Sequence, residues 1–265
     1  MKNMITQNSP ILEVNGLNVN RNGAPVIEGA TFTINRGDYV GIVGPNGGGK
    51  TTLLRVILNF LPYTQGFIKL FDTNLTNFSS WEKIAYISQQ ATNFEEQFPL
   101  TVRELVSLGC IKKGRLGRNF TSEDWKNVDN NIEFMGLSNV ANRRIGQLSG
   151  GQKQRMFVAK ALTHKPELII LDEPIVGVDS NAQEKFYKKL SDLNIKHQTT
   201  ILIVTHDLAS VFCRMSKILC INKNVELANI TPNLDTTQLL KRAYGEHFHF
   251  VFHQHSCEGE FPHEH

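Results

Sequence analysis

The sequence predicts an α/β fold on a mainly parallel sheet, with a helical segment inserted midway, and three observations carry that reading. Runs that are apolar throughout recur at Tyr39-Val40-Gly41-Ile42-Val43, Ile84-Ala85-Tyr86-Ile87, Leu168-Ile169-Ile170-Leu171 and Ile201-Leu202-Ile203-Val204. They have the length and composition of central strands buried on both faces, and the last three run straight into polar or charged residues. A glycine-rich turn joins the first run to a helix, and between Gln89 and Leu148 strand patterns give way to helix starts.

The turn after the first run is Gly44-Pro45-Asn46-Gly47-Gly48-Gly49-Lys50-Thr51, which fits G-x-x-x-x-G-K-[ST], and Thr52 to Asn59 reads as the helix behind it. Backbone N–H groups can surround phosphate oxygens only where side chains do not obstruct them, which is the reason for the glycines. Lys50 brings a mobile positive charge to the outer phosphates, and the Thr51 hydroxyl is placed to ligate Mg²⁺. A glycine-rich turn by itself marks only a tight loop; the Lys-Thr ending and the strand before it favour the phosphate site.

The third run ends in Asp172 and Glu173. Beside a phosphate loop, Asp172 is expected to hold Mg²⁺, directly or through water, and Glu173 to polarise the water that attacks the γ-phosphate. Alone, two acids before Pro174 would cap a turn. The fourth run, read from Thr199, ends in Thr205-His206-Asp207, which sets His206 at the carboxyl end of a parallel strand, where α/β proteins bind ligands. From there it can hydrogen-bond the γ-phosphate. The run at Ile84 ends in Ser88-Gln89, whose amide can reach Mg²⁺ or the water.

Further helices are announced by their caps. Thr101 with Glu104 is a capping box, and a second helix reads from Thr121 to Met135, closed by Gly136. In Leu148-Ser149-Gly150-Gly151-Gln152, Ser149 and Gln152 form another box and open a helix through Arg155, Val158 and Leu162. An ordinary cap explains the serine and the glutamine but not the paired glycines before a basic helix.

Phosphate loop, glutamine, Leu-Ser-Gly-Gly-Gln, acidic strand, a Gly177-Val178-Asp179 turn and the histidine stand in one order, and over about Leu12 to Asn222 the chain resembles the nucleotide-binding subunits of ATP-binding cassette (ABC) transporters. The resemblance implies a P-loop NTPase core, with a mixed, mainly parallel sheet, flanking helices, an antiparallel β subdomain and a helical subdomain inserted before the signature motif. It implies one ATPase domain over 1–265, a helical subdomain over 92–148 and a tail over 245–265. It implies a homodimer in which Ser149, Gly150, Gly151 and Gln152 of one copy meet the γ-phosphate held by the other, with Asp179 carrying information across that interface. The junction from Ala91 to Pro99, including Phe94 and Phe98 beneath Glu95 and Glu96, is implied as the socket for a permease. The family's aromatic adenine contact is missing; Arg21 stands in its place and can stack on a purine.

Composition agrees. A chain of 265 residues can bury a sizeable α/β core. A formal net charge of +3 is too mild to argue for nucleic acid. Cys110, Cys213, Cys220 and Cys257 show no C-x-x-C spacing, so a reducing compartment is expected. No apolar stretch approaches a membrane span and Met1 to Pro10 is polar, so any place at the cytoplasmic face of a membrane is expected to be borrowed from a partner. The basic run from Lys112 to Arg118 reads as a solvated loop.

Six of the nine histidines lie at His247, His249, His253, His255, His263 and His265, interleaved at first with phenylalanine. Read as a strand, alternation sets His247, His249, His253 and His255 on one face, where imidazoles can share a metal ion, with Cys257 and Glu258 as further ligand types. A solvated tail is the other reading. With Gly48 in the loop and the Val-Gly-Val-Asp turn, the tail makes the chain similar to the ATPases of zinc and manganese uptake systems. The expected function is an ATPase driving high-affinity import of a divalent metal, with zinc favoured by imidazole ligands. An extracytoplasmic metal-binding receptor completes such a system. Manganese or iron-chelate import, and a soluble ABC ATPase of metal-cluster assembly, stay open.

Overall fold

Strands buried along their whole length and strands that alternate in burial separate two kinds of sheet in this chain. The computed structural model describes residues 9–92, 99–111, 117–175 and 179–245. In chain order the elements are β1 (Pro10–Arg21), β2 (Ala24–Asn35), β3 (Tyr39–Val43), α1 (Lys50–Ile57), β4 (Gln65–Leu70), β5 (Thr73–Asn74), β6 (Ile84–Ile87), α2 (Val102–Ser107), α3 (Ser122–Phe134), α4 (Gly150–Leu162), β7 (Leu168–Asp172), α5 (Ser180–His197), β8 (Thr200–Val204), α6 (Leu208–Arg214), β9 (Lys217–Asn222), β10 (Asn224–Asn229) and α7 (Thr236–Tyr244). The chain divides into two compact units, one of residues 1–79 with 194–265 and one of residues 80–193.

In the first unit, β3 lies between β8 and β9 and is parallel to both. Every residue of β3 and β8 is buried, as the apolar runs anticipated. β9 turns at Lys223, with a left-handed φ of 59°, and returns as antiparallel β10. A second, antiparallel sheet in the order β2-β1-β4-β5 alternates buried and exposed positions along β1 and β2. Its β2 meets the β9–β10 turn, where the Glu28 N–H donates to the Lys223 carbonyl at 3.0 Å. Ile42, Leu53, Leu54 and Ile57 form the core beneath α1, each fully buried. The fold is thus α/β with parallel strands and an antiparallel sheet. Cys110 and Cys220 are buried thiols.

The second unit pairs β6 with β7 in parallel and sets α2, α3 and α4 against one another. Both predicted capping boxes form, at Thr101–Glu104 and Ser149–Gln152, and the structure adds a third at Thr121–Asp124. The orphan amides of α2 are fully used: Val102 N–H donates to the Arg143 carbonyl, Arg103 N–H to that of Ala141 and Glu104 N–H to the Thr101 hydroxyl. Arg103 also grips α3, with Nε and Nη2 on the two Asp129 oxygens at 2.7 and 2.9 Å and its guanidinium 4.3 Å above the Trp125 ring. Arg155 of α4 donates to the Met135 carbonyl at 3.2 Å, closing the carboxyl end of α3 beside Gly136. Burial lowers the pKa of that guanidinium.

The residues after α2 approach α4 closely enough that only glycine fits. A Cβ on Gly109 would stand well inside contact distance of the Lys160 carbonyl oxygen and the Thr163 hydroxyl. Gly109→Ala is therefore expected to destabilise the chain by about 2 kcal/mol, through overpacking against a backbone that cannot yield, as measured by denaturant unfolding.

Candidate functional site: a phosphate cradle and an acidic strand end

The first unit builds the phosphate loop on backbone. β3 ends at Gly44, whose φ of 150° and missing side chain let it lie against β9: a Cβ there would collide with the Ile221 carbonyl oxygen. The Gly44 N–H donates to the Tyr244 hydroxyl at 2.9 Å, and its carbonyl accepts from Lys50 Nζ at 2.9 Å. Lys50 also donates to the Pro45 carbonyl at 3.0 Å and is almost wholly buried. The loop closes through Gly48 N–H to the Pro45 carbonyl at 3.0 Å, and the Lys223 N–H approaches the Gly48 carbonyl at 3.4 Å. Pro45, Asn46 and Gly47 form the rim between.

The first intrahelical bond of α1 runs from Leu53 N–H to the Gly49 carbonyl at 2.8 Å. The amides of Gly49, Lys50, Thr51 and Thr52 therefore precede the helical ladder and form its positive end. No acid stands in the first turn of α1. β8, paired in parallel with β3, ends one strand away, and two residues beyond Val204 comes the exposed His206. Thr205 N–H donates to the Ile42 carbonyl at 3.2 Å, and Asp207 caps α6 through Ser210 N–H at 3.0 Å. Arg21 is exposed at the tip of the β1–β2 hairpin, before the Asn22-Gly23 turn.

The second unit gathers the other predicted groups in the same way. β6 and β7 end side by side, so Gln89 and the Asp172–Glu173 pair meet across two parallel strand ends. Gln89 Nε2 donates to Glu173 Oε2 at 2.9 Å. Asp172 is buried, and Glu173 adopts a left-handed φ of 45°, a conformation that costs a non-glycine residue free energy and is found where a side chain must be aimed. At the start of α4, Ser149 N–H donates to Gln152 Oε1 at 3.0 Å and Gln152 N–H to the serine hydroxyl at 3.4 Å. The Gln152 side chain is thus turned onto its own helix, while Ser149 and Gly150 are exposed and Gly151 is buried. Asp179 caps α5, accepting Ala182 N–H at 2.9 Å.

Sequence reasoning missed the floor of the loop: Ile221, Lys223 and Tyr244 carry no spacing signal, and Tyr244 lies 200 positions from Gly44. The predicted Gly177 and Val178, the residues 93–98 of the socket and the histidines His247, His249, His253 and His255 lie outside the described residues. Ala91, within the second unit, borders a cavity of about 400 Å³ lined by Trp81, Tyr86, Leu108, Phe157 and His164.

The donor set suits a nucleoside triphosphate with Mg²⁺. The cradle has no space for a side chain at Gly44 and its amides face no first-turn acid; within the first unit Thr51 offers a hydroxyl, and within the second Asp172 and Gln89 offer carboxylate and amide oxygens, each a hard donor of the type that Mg²⁺ takes.

The family described as ABC transporter matches residues 27–176. The chain is similar to the zinc uptake system ATP-binding protein ZurA of Listeria monocytogenes, 40% identical over 215 residues that span 81% of this chain and 84% of that one. It is also similar to the manganese transport system ATP-binding protein MntB of Halalkalibacterium halodurans, 31% identical over 89% of this chain and 92% of that one. Among solved structures, an ATP-binding cassette captured as a dimer in a post-hydrolysis state with ADP and phosphate superposes with a TM-score of 0.70, at 27% identity over 83% of this chain and 99% of that one.

Because Ile221 occupies the space beside Gly44, Gly44→Ala is expected to displace the loop and weaken ATP binding about tenfold or more, the equivalent of at least about 1.4 kcal/mol. Titration with a fluorescent ATP analogue reads it.

Proposed function

This chain belongs to the ABC transporter family and is an ATP-hydrolysing subunit of it, and from that premise we propose that it drives a membrane permease importing a divalent metal ion, with zinc as cargo. The observation that carries the ion is the 40% identity to a zinc uptake ATP-binding protein, sustained over 81% of the chain. The ATPases of this family work in pairs with membrane permease subunits. No helix among the described residues is long and apolar enough to cross a membrane, which is in keeping with attachment through such a partner.

In the proposed mechanism the amides of Gly47 and of Gly49 to Thr52 bind the phosphates, and Lys50 adds charge at the outer ones. Thr51, Asp172 and Gln89 would hold Mg²⁺, which would supply positive charge to offset that of the phosphate oxygens. Glu173 orients the attacking water and takes its proton. The Gln89 amide donates to one Glu173 oxygen at 2.9 Å, which helps to orient the carboxylate. His206 hydrogen-bonds the γ-phosphate from the end of β8, and Arg21 stacks on the adenine. In a homodimer, Ser149, Gly150, Gly151 and Gln152 of the second copy offer the positive end of α4 to the same phosphate. ATP then makes its full set of contacts only when two copies close, so binding favours the closed pair and hydrolysis releases it. Asp179, the cap of α5, would carry information across the interface of that homodimer.

The cavity bordered by Ala91, with the exposed Leu108 on its rim, supports a docking place for a permease segment at the cytoplasmic face. An extracytoplasmic receptor would deliver zinc to that permease. The histidines His247, His249, His253 and His255 would bind zinc on the cytoplasmic side and adjust turnover to supply.

Two measurements check this reading. Glu173→Gln is expected to bind ATP and dimerise with kcat at least about 100-fold lower, the loss of a general base; undiminished turnover removes Glu173 from that role. In the assembled complex of this chain with the membrane protein and receptor encoded beside it, ATPase activity should rise with zinc-loaded receptor, and a chain ending at Gly245 should lose its response to free zinc. Stimulation by manganese-loaded receptor instead reassigns the cargo, and activity indifferent to any membrane partner points to a soluble cassette ATPase.

A further inference from the structure

The phosphate loop is held by a side chain from the last described helix. Tyr244 ends α7, and its hydroxyl oxygen accepts the Gly44 N–H at 2.9 Å. Gly44 is thereby gripped on three sides. Its carbonyl accepts from Lys50 at 2.9 Å, and the position of its absent Cβ is taken by the Ile221 carbonyl oxygen. A peptide unit is planar, so fixing the N–H that precedes the Gly44 Cα and the carbonyl that follows it leaves that residue no rotation. This residue turns the chain out of β3 into the cradle, and its orientation sets where Lys50 and the later amides stand. Since the Gly44 N–H is spent on Tyr244, the amides left for phosphate begin beyond it.

The hydroxyl is itself firmly placed. Leu239, Leu240 and Ala243 bury one face of α7 within the first unit. Asp235 caps the helix through Gln238 N–H at 2.9 Å, and Arg242 pairs with Glu226 of β10 at 2.9 Å. Tyr244 is half-buried, and desolvation raises its pKa, so the phenol stays protonated at neutral pH with a lone pair for the amide.

We propose that Tyr244 is a positioning residue for ATP binding: its hydroxyl holds the Gly44 peptide in the orientation that readies the loop for a triphosphate, and α7 thereby sets the loop's affinity. The proposal rests on ATP binding at this loop and not on the identity of any transported ion. Loss of one hydrogen bond lowers the fraction of loops competent to bind, and apparent affinity falls by the same fraction.

The test uses the full-length chain with ATP alone, so failure of the zinc reading leaves it untouched. Tyr244→Phe keeps the ring and its packing and removes only the oxygen. It should raise KM for ATP and the Kd read by displacement of a fluorescent ATP analogue about fivefold, with kcat within about twofold of the parent. Hydrogen exchange at the Gly44 amide should quicken while the β3 amides keep their protection. Arg242→Ala, which breaks an exposed ion pair on the same helix, should change neither affinity nor exchange. Unaltered ATP affinity in Tyr244→Phe, unaltered Gly44 exchange, or an equal loss in Arg242→Ala overturns the proposal; the last would assign the effect to general loosening of α7.

Discussion

A loop that wraps phosphate with its own amides must lie directly on whatever backbone runs beneath it, and here that backbone is the end of β9. The Ile221 carbonyl fills the place of a Gly44 side chain, and the Lys223 N–H reaches the Gly48 carbonyl. Much of the first unit follows from this seat. β9 must run parallel beside β3 for its end to arrive under the loop, and the turn at Lys223 must fold back as β10 so that β2 can meet it. α7 must then pack so that the Tyr244 hydroxyl can accept the Gly44 N–H. Close backbone contact makes the cradle rigid, and rigidity is what lets an anion be bound without reorganising the amides that bind it.

The second unit solves a different problem with the same geometry. Parallel strands end together, so groups distant in sequence meet at their carboxyl ends. β6 and β7 bring Gln89 to Glu173, while the left-handed φ of Glu173 turns its side chain off the line of the strand. Such strain is tolerated only where surrounding structure over-determines it. The fully buried β7 and the hydrogen bond from Gln89 supply that constraint.

What the sequence made legible was local or periodic. The strands β3, β7 and β8 could be read because burial on both faces demands apolar residues at every position, α2 and α4 because a capping box spans only four residues, and α3 because Gly136 closes it. The site's own side chains were legible for the same reason: each stands at a strand end or a helix start. What was not legible depends on contacts between distant segments. Ile221 acts through its backbone, which no residue type encodes, and Tyr244 acts from a helix whose docking no motif announces. Asp179 was read through the family as an interface residue, whereas its local chemistry is that of a helix cap, a role its place before α5 could have suggested.

Helix ends give the most general argument for where phosphate belongs on this chain. Among the described α-helices, α2 carries Glu104 in its first turn and α3 carries Glu123 and Asp124, while α5, α6 and α7 are capped by Asp179, Asp207 and Asp235. Each of those acids satisfies an amide or sets a negative charge against the positive end of its helix, leaving little field for a ligand. Only α1 and α4 have neither, with Gly49 and the neutral Ser149–Gln152 pair at their starts. An acid would stabilise either helix by a few tenths of a kcal/mol up to about 1 kcal/mol, so its absence at both gives up stability to keep positive potential exposed. The Gln152 side chain spends its oxygen on the Ser149 amide, so any anion binding proposed for this helix start falls to backbone rather than to that side chain. Glycine at 150 then has a physical reason: it is exposed, and a bulkier residue would stand between the α4 amides and an approaching phosphate.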